Sequence, residues 1–184
     1  MLPDPLNLSR RYPGDNHLDI PALAHTPLAA LPQWLAPYRQ RVGRDVCLKE
    51  AGLHFFLDDY RFEAVWNRPQ QALRGLRRYG VVLTPDFSLY RDWPLAAQIW
   101  NVYRSRWCGA FWQANGLQVI PTVSWSTAVS YDFCFLGIPR HSVVAVGTVG
   151  LHRRQDAAAR GLSSVEPSAG RSQLHTRYSS PFEQ

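Results

Sequence analysis

Three short apolar runs in this chain end in residues able to do chemistry. Leu53-His54-Phe55-Phe56-Leu57 ends at Asp58-Asp59, Val81-Val82-Leu83 leads into Thr84-Pro85-Asp86-Phe87-Ser88, and Leu117 to Val123 ends at Ser124-Trp125-Ser126. A fourth run, Val143 to Val146, ends at Gly147-Thr148. In parallel α/β folds ligands bind at the carboxyl ends of strands. Asp58, Asp59 and Asp86 are therefore the candidate catalytic residues, and Ser88, Ser124, Trp125 and Thr148 the candidate substrate-binding ones. Acids and hydroxyls gathered on one face suit three chemistries. They can hold a divalent metal through oxygen, work as a carboxylate pair in acid–base catalysis, or supply an aspartate nucleophile. A structural reading competes with all three, because Asp and Ser after a strand commonly cap the next helix and an indole such as Trp125 commonly packs.

Those residues need strands and helices to place them. The runs read as buried strands beginning near residues 53, 81, 117 and 143, with Pro121 marking a bulge or an unpaired position. Between them, Pro69 suits the first position of a helix over 69–79, with Gly80 as its terminator. Residues 94–114 carry Ala96, Trp100, Tyr103, Trp107, Phe111 and Ala114 as one stripe at helical spacing, closed by Asn115-Gly116. The stripe's aromatics read as core rather than as a base-stacking platform. Continuous apolar strands alternating with helices predict an α/β fold of parallel β–α repeat units, partial or barrel-like.

Around that domain, placed at 41–160, the chain looks irregular. Prolines at 3, 5, 13, 21 and 27 predict an N-terminal arm over 1–40, pinned by Leu18, Ile20 and Leu23, with a short helical piece near Leu31–Leu35. Asp45–Lys49 reads as a short strand and Glu50-Ala51-Gly52 as a turn. Residues 161–184 are rich in Ser, Gly and Arg, which predicts a disordered tail.

Composition excludes several classes. With 46% hydrophobic and 18% charged residues the chain is not disordered throughout. No apolar run has the length of a membrane span, and the first residues lack the apolar segment of a signal peptide, so the expected location is the cytoplasm. Cys47, Cys108 and Cys134 are far apart, and the histidines show no ligand spacing, which argues against zinc. The net charge of +6 comes from 19 arginines and one lysine against 14 acids. It is spread along the chain and is not a nucleic-acid stripe. Serine hydrolase, zincin, deaminase, P-loop and dinucleotide fingerprints are all missing.

FFLDDYRFEAVWNRP, LTPDFSLYRDWPLAAQIWNVYRSRW, GAFWQANGLQVIPTVSW, FCFLGIP and SVVAVGTVG resemble a bacterial and phage family catalogued as domain of unknown function 4417. The resemblance covers about residues 53–150. It implies an α/β protein of phages, plasmids and other mobile elements, and the family's polar motif positions are here Asp58, Asp59, Asp86, Ser88 and Trp125. Family members continue past the GTVG-like strand with another helix and strand, whereas this chain turns polar, so a truncated and inactive copy is one alternative. The leading expectation is a protein acting on a nucleotide or nucleic acid through a carboxylate-lined site at the strand ends, with a divalent metal as a possible cofactor. A noncatalytic nucleic-acid-binding protein using Arg39, Arg41, Arg74, Arg77 and Arg78 is the other.

Overall fold

The computed structural model describes residues 4–27, 31–40 and 47–147, together with the backbone of one further strand, Gln173–His175. Strands β1 (Trp34–Pro37), β2 (Ala51–His54), β3 (Val81–Leu83) and β4 (Val119–Ile120) form one parallel sheet in that order. Strand β5 (Thr122–Val123) pairs in parallel with β6 (Val144–Val146), and β6 pairs antiparallel with β7 (Gln173–His175). Pro121 separates β4 from β5. It has no N–H to give a ladder, yet its carbonyl accepts the Ala145 N–H at 2.8 Å. From β1 to β6 the strand order follows the chain order, as in the wall of a β/α barrel, so all these parallel strands present their carboxyl ends on one side. Among the described residues, no helix is long and apolar enough to cross a membrane.

Helices α1 (Ala64–Asn67) and α2 (Pro69–Leu76) link β2 to β3, α3 (Leu95–Ala114) links β3 to β4, and α4 (Tyr131–Cys134) precedes β6. Pro69 opens α2 as its spacing suggested. Gly80 does not close that helix, which ends at Leu76. Its N–H donates to the carbonyls of Leu48 and Ala51, and a Cβ there would collide with the Lys49 carbonyl. Glycine is needed at this point for close approach of two backbones. Helix α3 spans the residues its stripe indicated and ends at Ala114, with Gly116 just beyond it at a φ of +80° that suits a helix terminus.

The main core lies between α3 and the sheet. Phe55, Phe62, Trp66, Trp107, Phe111 and Trp112 are buried in it. Trp107 and Phe111 stack with ring centroids 5.3 Å apart. The arm closes this core from outside. Ile20 and Leu23 are buried, Leu18 packs beside Ile20, and the arm's carbonyls satisfy two indoles. Trp107 Nε1 donates to the Arg10 carbonyl at 2.8 Å, and Trp66 Nε1 to the Pro5 carbonyl at 3.2 Å.

Several local expectations change. Trp34–Pro37 is a strand, where a helical piece was expected. Pairing with β2, Trp34 against Ala51, decides its conformation, and Pro32 and Pro37 leave no room for a helix between them. Leu48–Glu50 is a single 3-10 turn, so β2 begins at Ala51 and takes in the residues read as a turn. Asp45 and Val46 lie outside the described residues, as does the tail of 161–184 except for Gln173–His175, which is a strand.

Candidate functional site

At the carboxyl ends of β2, β3, β5 and β6 lies an open cleft of about 820 Å³. Five of the expected site residues line it: Asp58, Asp86, Ser88, Ser124 and Trp125. Thr148 lies outside the described residues, directly after Gly147, which lines the cleft. Asp59 is not in the lining. Its carboxylate accepts the Ser88 hydroxyl at 2.8 Å and the Ser88 N–H at 3.1 Å.

Helix capping accounts for neither Asp58 nor Asp86. Asp58 precedes the 3-10 turn Asp59–Arg61 without a capping hydrogen bond, and α3 begins nine residues after Asp86, behind Pro94. Asp58 is exposed at the cleft wall. Asp86 is largely enclosed, and its Oδ1 is fully buried with no hydrogen-bond partner. Burial pushes its carboxyl up to about 6; a hydrogen bond with Ser124 opposes that, the Asp59 charge reinforces it, and the Arg106 charge opposes it. Asp59 is also raised, again by burial first, while its bonds from Ser88 act the other way. Gly147 makes room for this arrangement. A Cβ there would stand 2.7 Å from the Phe56 ring and 3.1 Å from Asp86 Oδ2.

The loops that form the cleft are held from behind by polar side chains of α3. Gln98 donates to the Trp93 carbonyl at 3.0 Å and accepts the Ser126 hydroxyl at 2.6 Å, tying the Trp93 loop to the Ser126 loop. Asn101 donates to the Ser88 carbonyl at 2.7 Å, and Ser105 to the Pro85 carbonyl at 2.8 Å. Arg106, 2% exposed, gives its guanidinium to the carbonyls of Thr122, Cys134 and Leu136 at 2.8–3.0 Å. A buried charge is tolerable only with such satisfaction. Arg104 makes an ion pair with Glu63 at 2.9 Å. Asn101 stands behind the loop and is not in the cleft lining.

Two arginines join the strand-end residues. Arg61 and Arg91 line the cleft, are exposed, and form no ion pair among the described residues. Arg61 lies just past the Asp58-Asp59 pair, the signal that could have found it. Tyr90 and Asp92, either side of Arg91 in the sequence, also line the cleft. The described lining thus combines acids, two guanidiniums, hydroxyls and aromatic rings. It can bind an anion bidentately through arginine, offer a ring face, and exchange a proton at Asp86. No cluster of three or more His, Cys, Asp or Glu able to hold a metal ion occurs among the described residues.

The profile of the family Domain of unknown function (DUF4417) matches residues 12–168. The chain belongs to that family. It is similar to the Gene 1 protein of Mycobacterium phage L5, 48% identical over 149 residues that cover 80% of this chain and 64% of that protein. It is likewise similar to the Gene 1 protein of Mycobacterium phage D29, 48% identical over 149 residues covering 80% of this chain and 54% of that protein. The chain thus spans less than two thirds of the length of these curated relatives. Both are phage proteins, as the resemblance implied. No solved structure matches.

Proposed function

We propose that this protein acts on a nucleotide or nucleic acid in the strand-end cleft, with Asp86 exchanging a proton with the bound ligand. The observation that carries the reading is Asp86 itself. An acid–base catalyst works best when its pKa lies near the operating pH, and burial raises this carboxyl to about 6 at the cleft floor. Asp58 is the second carboxylate of the site. Asp59 serves by holding Ser88, since both its oxygens are engaged there. Arg61 and Arg91 suit phosphate oxygens, and Trp125, 38% exposed, offers a face on which a base can stack. A divalent ion would draw on cleft carboxylates such as Asp58 and Asp86, with the ligand supplying further oxygens.

The noncatalytic nucleic-acid-binding reading draws less support. Arg74, Arg77 and Arg78 lie at the end of α2 that leads into β3. Arg77 donates to the Asn115 carbonyl and its own carbonyl accepts Lys49, both at the opposite end of the strands from the cleft.

The test is tryptophan fluorescence of the full-length chain titrated with mononucleotides and short single-stranded oligonucleotides across pH 5–8. The reading expects saturable quenching that changes with a midpoint near 6, and its loss in Asp86→Asn. Absence of binding by every nucleotide and oligonucleotide, or binding indifferent to Asp86→Asn, rejects it.

A further inference from the structure

The loop that carries Asp86, Phe87 and Ser88 is locked by a closed ring of hydrogen bonds. Asp59 accepts from Ser88. The Ser88 carbonyl accepts Asn101 Nδ2 at 2.7 Å, and Asn101 Oδ1 accepts an Arg104 terminal nitrogen at 2.7 Å. The other terminal nitrogen of Arg104 reaches both oxygens of Glu63 at 2.9 and 3.0 Å. The Glu63 N–H then returns to the Asp59 carbonyl at 3.0 Å. Arg104 also lays its guanidinium over the Phe87 ring, 3.9 Å from the centroid, within the range of a strong cation–π contact.

We propose that Arg104 is the positioning residue of this site, fixing through Asn101 and the Phe87 ring the loop on which Asp86 stands. Three links converge on one side chain: an ion pair to the turn after β2, a hydrogen bond relayed to Ser88, and a ring contact to the residue next to Asp86. Only a planar, forked cation makes all three at once. Arg104 Nε is left buried without a partner. An arginine placed only for its ion pair would have no reason to strand that donor. The guanidinium plane is set by Phe87 and Asn101. The inference rests on the reading of Asp86 as the working carboxyl, but its test does not need that reading to hold.

The test follows the Asp86 carboxyl directly, by NMR titration of the full-length chain carrying carboxyl-labelled aspartate, in Arg104→Met, Arg104→Lys and Asn101→Ala. The charges acting on Asp86 are those of Asp59 and Arg106; Arg104 is not among them. Losing a nearby cation would in any case raise a carboxyl, whereas releasing the loop to water lowers it. Arg104 does act on Asp59, whose charge in turn raises Asp86, so the variants that keep the cation, Arg104→Lys and Asn101→Ala, separate position from charge. The expected result is a fall of about one unit in the Asp86 midpoint in Arg104→Met and Asn101→Ala, with no rescue by lysine, which keeps the charge but not the fork. A midpoint that stays or rises in the folded variants overturns the proposal, even if thermal stability drops. Should Arg104→Met fail to fold, Asn101→Ala decides, because it keeps the Arg104–Glu63 pair and cuts the relay from Arg104 to Ser88. Failure here would leave nucleotide binding, and its dependence on Asp86, untouched.

Discussion

Helix α3 meets the rest of the molecule in two different ways. Along Trp107, Phe111 and Trp112 it is held by apolar contact. Tyr12, Trp66 and Phe55 pack on these rings at centroid distances of 5.2–5.8 Å. Along Gln98, Asn101, Ser105 and Arg106 it is held by hydrogen bonds aimed at the carbonyls and hydroxyls of other segments. The first region stabilises through area and packing, which tolerate small shifts. The second fixes individual backbone groups, which is what a site needs if its carboxyls are to stand at set positions. Asp86 belongs to the second region and burdens it, since burial opposes its charge.

If the comparison is right, the largest loss of stability comes from the apolar region. Trp107→Ala should cost about 3–5 kcal/mol in urea denaturation, the usual loss for removing a buried aromatic. A loss below about 1 kcal/mol would mean that the arm, not α3, organises that core.

The next effect has the opposite sign. Asp86 binds its proton more tightly in the folded chain, about 6 against the ordinary 3.8. Its contribution is therefore fully present below about pH 4 and is lost as pH rises through 6. Asp86→Asn mimics the protonated form. It should match the parent near pH 4 and exceed it by about 1–3 kcal/mol above pH 7. His54 must be subtracted for this to be seen. Burial lowers it to about 4, so its contribution is present above its unfolded value near 6.5 and is lost as pH falls through 4. Over much of the same range its slope opposes that of Asp86. The difference between variant and parent at each pH isolates Asp86.

The smallest effect comes from one hydroxyl. Ser88→Ala removes the bond to Asp59 but leaves the Ser88 N–H in place, and should cost about 1 kcal/mol while weakening nucleotide quenching. Unchanged quenching would show that the loop is held without it.

The parts of this fold that stood out in the sequence are those set locally. The 94–114 stripe, Pro69 at a helix start and the Pro121 interruption each follow from spacing or from a missing N–H. Strand β1 was not legible, because Trp-Leu-Ala-Pro is extended only by virtue of its pairing with β2. The site divides similarly. Asp58, Asp86, Ser88, Ser124 and Trp125 could be found because each follows an apolar run. Arg61 and Arg91 follow closely on Asp58-Asp59 and Ser88, and that proximity is their only local signal, since nothing in a loop sequence says which side faces a cleft. Gln98, Ser105 and Arg106 were hidden for another reason. They share α3 with a broad apolar stripe, and their burial depends on loops that return from distant sequence.

The most direct measurement is the titration of the Asp86 carboxyl in the unmodified chain, with and without bound nucleotide. The account predicts a midpoint near 6 that shifts when the cleft is filled. A midpoint at the ordinary 3.8, indifferent to every nucleotide, would contradict it.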